Sequence, residues 1–198
     1  MTIKIRPFHP SDIPDLYTIC LLTADNGKDA SHLFNDQNLV GNMFAVPYPI
    51  YQPELTFVLV KDGQVIGYIL GASDTPAFWK WFKSDWAPPL REKYPKPEST
   101  ANDLRTICLR EIHKADGKPD EVPGYPAHLH IDILPDGQSG GWGLKLMETF
   151  WDKLRSMGVP AVHLGVSKAN ENAVGFYKHI GYHVVAEHDW GYTLGKKL

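Results

Sequence analysis

The chain has 198 residues, 43% of them hydrophobic and 22% charged, with a formal charge of −3 from 20 basic and 23 acidic side chains. That length favours one domain with one sizeable core, the composition excludes disordered, collagen-like and coiled-coil chains, and without a long single-sign block there is no electrostatic footprint for nucleic acid. No stretch approaches the roughly 18 apolar residues that a membrane span needs, and MTIKIRPFHP lacks a signal-peptide core; Cys20 and Cys108 sit in apolar helical patterns without metal-ligand spacing, so a cytoplasmic, reducing compartment and no metal site are expected.

In chain order, IKIRPF alternates as a first strand. SDIPDLYTICLLTA follows as a helix that Ser11 or Asp12 would cap, with Ile13, Leu16, Ile19 and Cys20 on one face. NLVGNMFAVPYPIYQ is helical at its start and broken at Pro47 and Pro49. LTFVLVKDGQVIGYILGA reads as a hairpin with the turn Lys61-Asp62-Gly63-Gln64. From about 75 to 126 the composition shifts to an aromatic- and proline-rich insertion that holds Phe78, Trp79, Trp81, Phe82, Trp86 and Tyr94, a helix over ANDLRTICLREIH and the turn-rich DGKPDEVPGYP. Such aromatic density either packs against a sheet or walls and lids an acceptor pocket. Then come the strand AHLHIDIL, the bare segment PDGQSGGWG, the helix WGLKLMETFWDKLRSMG, the strand AVHLGVS, the helix ENAVGFYKHIG, the strand YHVVAEH and a last strand WGYTLGKK.

The bare segment, residues 135–143, has four glycines and no aliphatic side chain. A strand ending at Pro135 and a helix starting near Gly141 leave unpaired N–H groups at the helix N-terminus, which suits an anion. Glycine lets a phosphate approach the main chain and tolerates positive φ. An ordinary glycine-rich turn is the alternative. The strand, helix, strand, helix, strand order around it makes an α/β unit with a crevice at the strand's carboxyl end.

Gln138-Ser139-Gly140-Gly141-Trp142-Gly143 fits Gln/Arg-x-x-Gly-x-Gly, and Asn170 and Tyr177 stand seven residues apart just before Gly181-Tyr182. Over roughly residues 127–185 the chain thereby resembles the GNAT acetyltransferase superfamily. The stretch from CLLTADNGKD to TPAFWKW is similar, more narrowly, to the acetyltransferase-like domain attached to O-GlcNAcase and its free-standing microbial relatives. The resemblance implies a single domain over 1–198 with an α/β (α+β) architecture: a mixed, mostly antiparallel sheet of about six or seven strands flanked by helices. It also implies acetyl-CoA as cosubstrate, held by Ile133, Leu134, Gln138, Ser139, Gly140, Gly141, Trp142, Gly143, Asn170 and Tyr177. The acceptor would be an amine of a small molecule or peptide, and the protein a monomer or homodimer. Two departures stand out: Ser139 replaces a residue that is often glycine, and Trp142 replaces the usual aliphatic one.

Acetyl transfer requires a neutral amine to attack a thioester and a thiolate to leave. A base or a relayed water takes the ammonium proton, and a phenol protonates the thiolate. The matched motif makes Tyr177 the acid; read as a residue alone, it is equally a core tyrosine of an amphipathic helix. Period-2 alternation puts His128, His130 and Asp132 on one side of their strand, opposite Leu129, Ile131 and Ile133. Asp132 is the candidate base, because partial burial raises a carboxyl pKa toward neutrality. A helix-facing or solvent-facing polar row is the alternative, and a bulge would change which residues reach the cleft. The two histidines are read as structural. Three functions therefore stand: an acetyl-CoA-dependent N-acetyltransferase, an acetyl-CoA-binding pseudo-acetyltransferase serving interaction or sensing, and a phosphate-binding α/β protein of unrelated chemistry.

Overall fold

The computed structural model describes residues 2–114 and 122–198; residues 115–121, within the turn-rich stretch, lie outside that description. The elements run β1 (Ile3–Pro7), α1 (Ile13–Thr23), α2 (Leu39–Phe44), α3 (Pro47–Tyr51), β2 (Phe57–Lys61), β3 (Gln64–Ala72), α4 (Thr75–Trp81), a π-helical turn (Phe82–Trp86), α5 (Ala87–Lys93), α6 (Leu104–His113), β4 (Ala127–Ile133), α7 (Trp142–Ser156), β5 (Ala161–Ser167), α8 (Glu171–His179), β6 (His183–Glu187) and β7 (Gly191–Lys197). Among the described residues the strands form one seven-stranded sheet, β1-β2-β3-β4-β5-β7-β6. Every pairing is antiparallel except β4 with β5, the mixed, mostly antiparallel architecture expected. No helix among these residues is long and apolar enough to cross a membrane.

Local chemistry explains most element boundaries. Asp62 (φ 48°) and Gly63 (φ 90°) supply the left-handed turn residues that match the twist of the β2–β3 hairpin. Neither Ser11 nor Asp12 caps α1. His9 caps a 3₁₀ turn over Pro10–Asp12, and the Asp12 carboxylate instead accepts both Arg6 terminal nitrogens, each at 2.7 Å, and the His9 amide at 2.8 Å. It therefore pins β1 to the entry of α1. Pro47 ends α2's run but also starts α3 at its first position, where the missing N–H costs nothing.

Alternation sends side chains to two cores. One face carries Val58, Val60, Tyr68, Leu70 and Ala72 against α1, α2 and the aromatic segment. The other carries Leu59, Ile66, Ile69, Leu129, Val162 and Leu164 against α7 and α8. The aromatic segment is core rather than appendage: Phe78 and Phe82 are fully buried, and Phe78 stacks on Tyr48 at 4.5 Å. Trp86 Nε1 donates to Asn42 O at 2.9 Å, tying the π-helical turn to α2.

One interruption of the sheet matters for function. β3 pairs with β4 from His128 to Ile133, and β5 pairs with β7 along its whole length. β4 and β5 pair only at Ala127–Val162 and His128–His163. Beyond that level the two strands part, and the middle of the sheet opens into a wedge. Ala127–Leu129 are buried, whereas His130–Ile133 are only half-buried although they lie on a central strand.

Candidate active site

The loop at the end of β4 has an unusual backbone. Ser139 (φ 124°), Gly140 (φ 63°) and Gly141 (φ 76°) take positive φ in succession, and Gly141 is the residue from which α7 starts. All three are exposed. A Cβ on Gly141 would meet nothing within 4 Å, so open space lies in front of the first-turn amides of a 15-residue helix. Free N–H groups, space and the positive helix end together fit a phosphate. Gln138 braces the loop, its Nε2 donating to Ile133 O at 2.7 Å. Gly143 serves packing, since a Cβ there would stand 3.3 Å from Phe176 Cζ and wedge α7 from α8. Trp142 is half-buried, with Lys145 Nζ 4.0 Å from its ring centroid. Ile133 and Leu134, also half-buried, line the edge of β4 where the wedge meets the loop.

Asp132 points to the α1 face. Its strand partner is Tyr68, whose Oη donates to Asp132 Oδ2 at 2.5 Å. Burial raises the carboxyl pKa, against the hydrogen bond from Tyr68 that lowers it. The β3–β4 register runs without a shift, so no bulge redirects the polar row and His128, His130 and Asp132 keep one face. Tyr177 lies on α8, buried on the opposite face beside Phe176 and Tyr182. Burial, then the Asp132 carboxylate, pushes its phenol upward.

The histidines differ from one another. Thr75 Oγ1 donates to Pro126 O at 2.7 Å, so the His128 Nδ1 contact with Thr75 Oγ1 at 2.8 Å must be a donation from the ring. His128 Nε2 then accepts from Tyr48 Oη at 3.0 Å. With both nitrogens engaged and burial holding its pKa well down, His128 is structural. His130 is half-buried between Phe44 and Tyr48, at ring distances of 5.5 and 5.3 Å. Asn170 caps α8 by accepting from Ala173 N at 3.2 Å and lines an open cleft of about 400 Å³ with Asp25, Asn26, Lys28 and Glu171. The structure thus sets Asp132 on the part of β4 that does not pair with β5, with the loop at that strand's end, places Tyr177 on α8 in the core of the other face, and gives Asn170 a capping role. Sequence reasoning missed Tyr68 and Tyr48. A tyrosine within the apolar run VIGYILGA signals only core, and the register that sets Tyr68 beside Asp132 is not written in either strand.

The chain matches the Acetyltransferase (GNAT) family over residues 23–182. It is 25% identical over 191 residues to Protein O-GlcNAcase of Rattus norvegicus and of Mus musculus, a match covering 92% of this chain and 20% of theirs. The chain therefore spans about a fifth of the length of these curated relatives. The crystal structure of SsHAT superposes with a TM-score of 0.92 at 38% identity, covering 100% of this chain and 98% of that one. The PaiA N-acetyltransferase of Thermoplasma acidophilum, solved in complex with coenzyme A, gives 0.59 at 14% identity with 100% of both chains covered, a likeness of fold alone.

Proposed function

The chain belongs to the GNAT acetyltransferase family, which uses acetyl-CoA and implies an amine-bearing acceptor, and from that premise we propose that it is a single domain over 1–198 transferring acetyl to a primary amine of a small molecule or peptide. The observation that carries this reading is the bare loop at the end of β4, where Ser139, Gly140 and Gly141 take positive φ in succession ahead of α7, beside two strands, β4 and β5, that part after two paired levels. The cosubstrate, when bound, supplies a thioester carbonyl and a thiol leaving group.

The amides of residues 139–143 and the start of α7 would hold the pyrophosphate, the Gln138 amide being engaged by Pro135 O at 3.1 Å, with Gln138 bracing the loop, Ile133 and Leu134 along the edge of β4 and Trp142, Asn170 and Tyr177 on the α7–α8 side. Asp132 takes a proton from the ammonium, directly or through one water, because a protonated amine has no lone pair. Tyr68 fixes the carboxylate's orientation through its 2.5 Å hydrogen bond. Tyr177 keeps its proton at neutral pH, its pKa being raised, and delivers it to the leaving thiolate. A module that binds acetyl-CoA without transferring it would use the same loop but need neither group. Calorimetry with acetyl-CoA, followed by thiol release over an amine panel, tests the reading. Binding with amine-dependent release is expected; binding without release would leave the sensing module, and no binding would end both.

A further inference from the structure

β4 and β5 present matching rows to the α1 side of the sheet. His128 and His163 face each other at the last paired level, ring centroids 5.8 Å apart. Two residues further along each strand stand His130 and Gly165, and two further again Asp132 and Ser167, so alternation sets these pairs across the widening gap. Gly165 has no side chain, and Trp190 occupies the place: its Cη2 lies 3.1 Å from where a Cβ on Gly165 would stand. The β6–β7 turn that carries Trp190 is tied to the end of β5. Lys168 N donates to Trp190 O at 3.2 Å, and Lys168 Nζ donates to His188 O at 2.8 Å while pairing with Glu187. The indole stacks on His188 at 5.2 Å and 4°, and His188 is itself held by Thr193 Oγ1 at 3.0 Å. Trp190 is nevertheless 58% exposed. Across the gap, among the described residues, His130 has ring neighbours but no hydrogen-bond partner, and burial pushes its imidazole down to about 4, leaving it neutral at pH 7.

We propose that this slot, with Trp190 and His188 on one wall and His130 and Phe44 on the other, is the acceptor subsite and selects arylalkylamines, the ring lying on Trp190 and the amine reaching Asp132. The proposal rests on the acetyl-transfer reading above. Flat rings on both walls suit a flat aromatic group, which can stack between them. A second ammonium on the acceptor finds no carboxylate among the walls named, because Glu187 is engaged by Lys168 and Asp132 serves the reacting amine. Burial of the imidazole keeps His130 from repelling the incoming amine.

The test is the ratio of kcat/KM for phenethylamine to that for n-butylamine. The parent ratio is expected above one, to fall about three- to tenfold in Trp190→Ala, the usual worth of an aromatic pair, and to recover in Trp190→Phe. Calorimetry of both amines on the CoA-loaded protein reads the same ratio without turnover. An unchanged ratio in Trp190→Ala, or no preference in the parent, overturns the arylalkylamine subsite while leaving acetyl transfer standing. A parent that does not bind acetyl-CoA overturns the transfer reading itself.

Discussion

Asp132 is under two opposed pressures: burial favours its neutral form, while the hydrogen bond from Tyr68 favours the charged one, and burial wins. A carboxyl whose folded pKa is raised contributes stability that is fully present below its unfolded pKa and lost as pH rises through the folded value. At pH 7 the charged group therefore costs stability. Asp132→Asn is expected to melt above the parent at pH 7, with the gap closing as pH falls toward 4; a lower melting temperature at pH 7 would mean that the Tyr68 hydrogen bond outweighs burial. The same change should depress kcat/KM most near neutral pH and recover in part at higher pH, where free amine is more abundant. An acidic limb unaltered in the Asn variant would remove Asp132 from the mechanism. Asp132 was legible as the sole carboxylate of AHLHIDIL. Its partner Tyr68 was not, because strand register is decided by neighbours far apart in the chain.

The loop and its helix were the most legible elements. Glycine spacing foretold a bare strand-to-helix turn, and α7 does begin at Trp142, with Gly141 in the left-handed region. What spacing could not tell is how the glycines divide their work. Gly143 makes room for Phe176, Gly141 faces open space, and Ser139 carries a φ of 124° that non-glycine residues rarely adopt. Ser139→Gly should relieve strain worth about 1 kcal/mol and raise the melting temperature by roughly 2–4 °C; an unchanged or lower value in a thermal melt would show that the loop holds no such strain. Gly141→Val places a β-branched residue at positive φ, and calorimetry is expected to show acetyl-CoA affinity lost. Undiminished affinity would move the pyrophosphate elsewhere. Asp12 and Asn170 mark another limit of local reading: both stand where helix caps are found, yet Asp12 holds Arg6 while Asn170 does cap α8.

At the scale of the molecule, two cores flank a sheet that parts between β4 and β5, and the strand order that creates the wedge was not legible in the sequence, since periodicity alone does not rank strands and the resemblance implied only a mixed, mostly antiparallel sheet. The polar row beside the wedge makes the fold acid-sensitive. His128, His130 and His163 all have pKa values lowered by burial, His130 to about 4, so their contribution is present above the unfolded value of about 6.5 and is lost as pH falls below it. The melting temperature should drop between pH 7 and 5, and less steeply in His130→Phe, which keeps a ring between Phe44 and Tyr48; equal slopes would exclude His130 as a contributor. On the acetyl-transfer reading, Tyr177 would act from the α8 side of the sheet and Asp132 from the α1 side. The sharpest check is amine-dependent thiol release from acetyl-CoA by Tyr177→Phe: the account predicts kcat reduced by a factor of about 10² to 10⁴ with acetyl-CoA affinity unchanged, and turnover at the parental rate would contradict it.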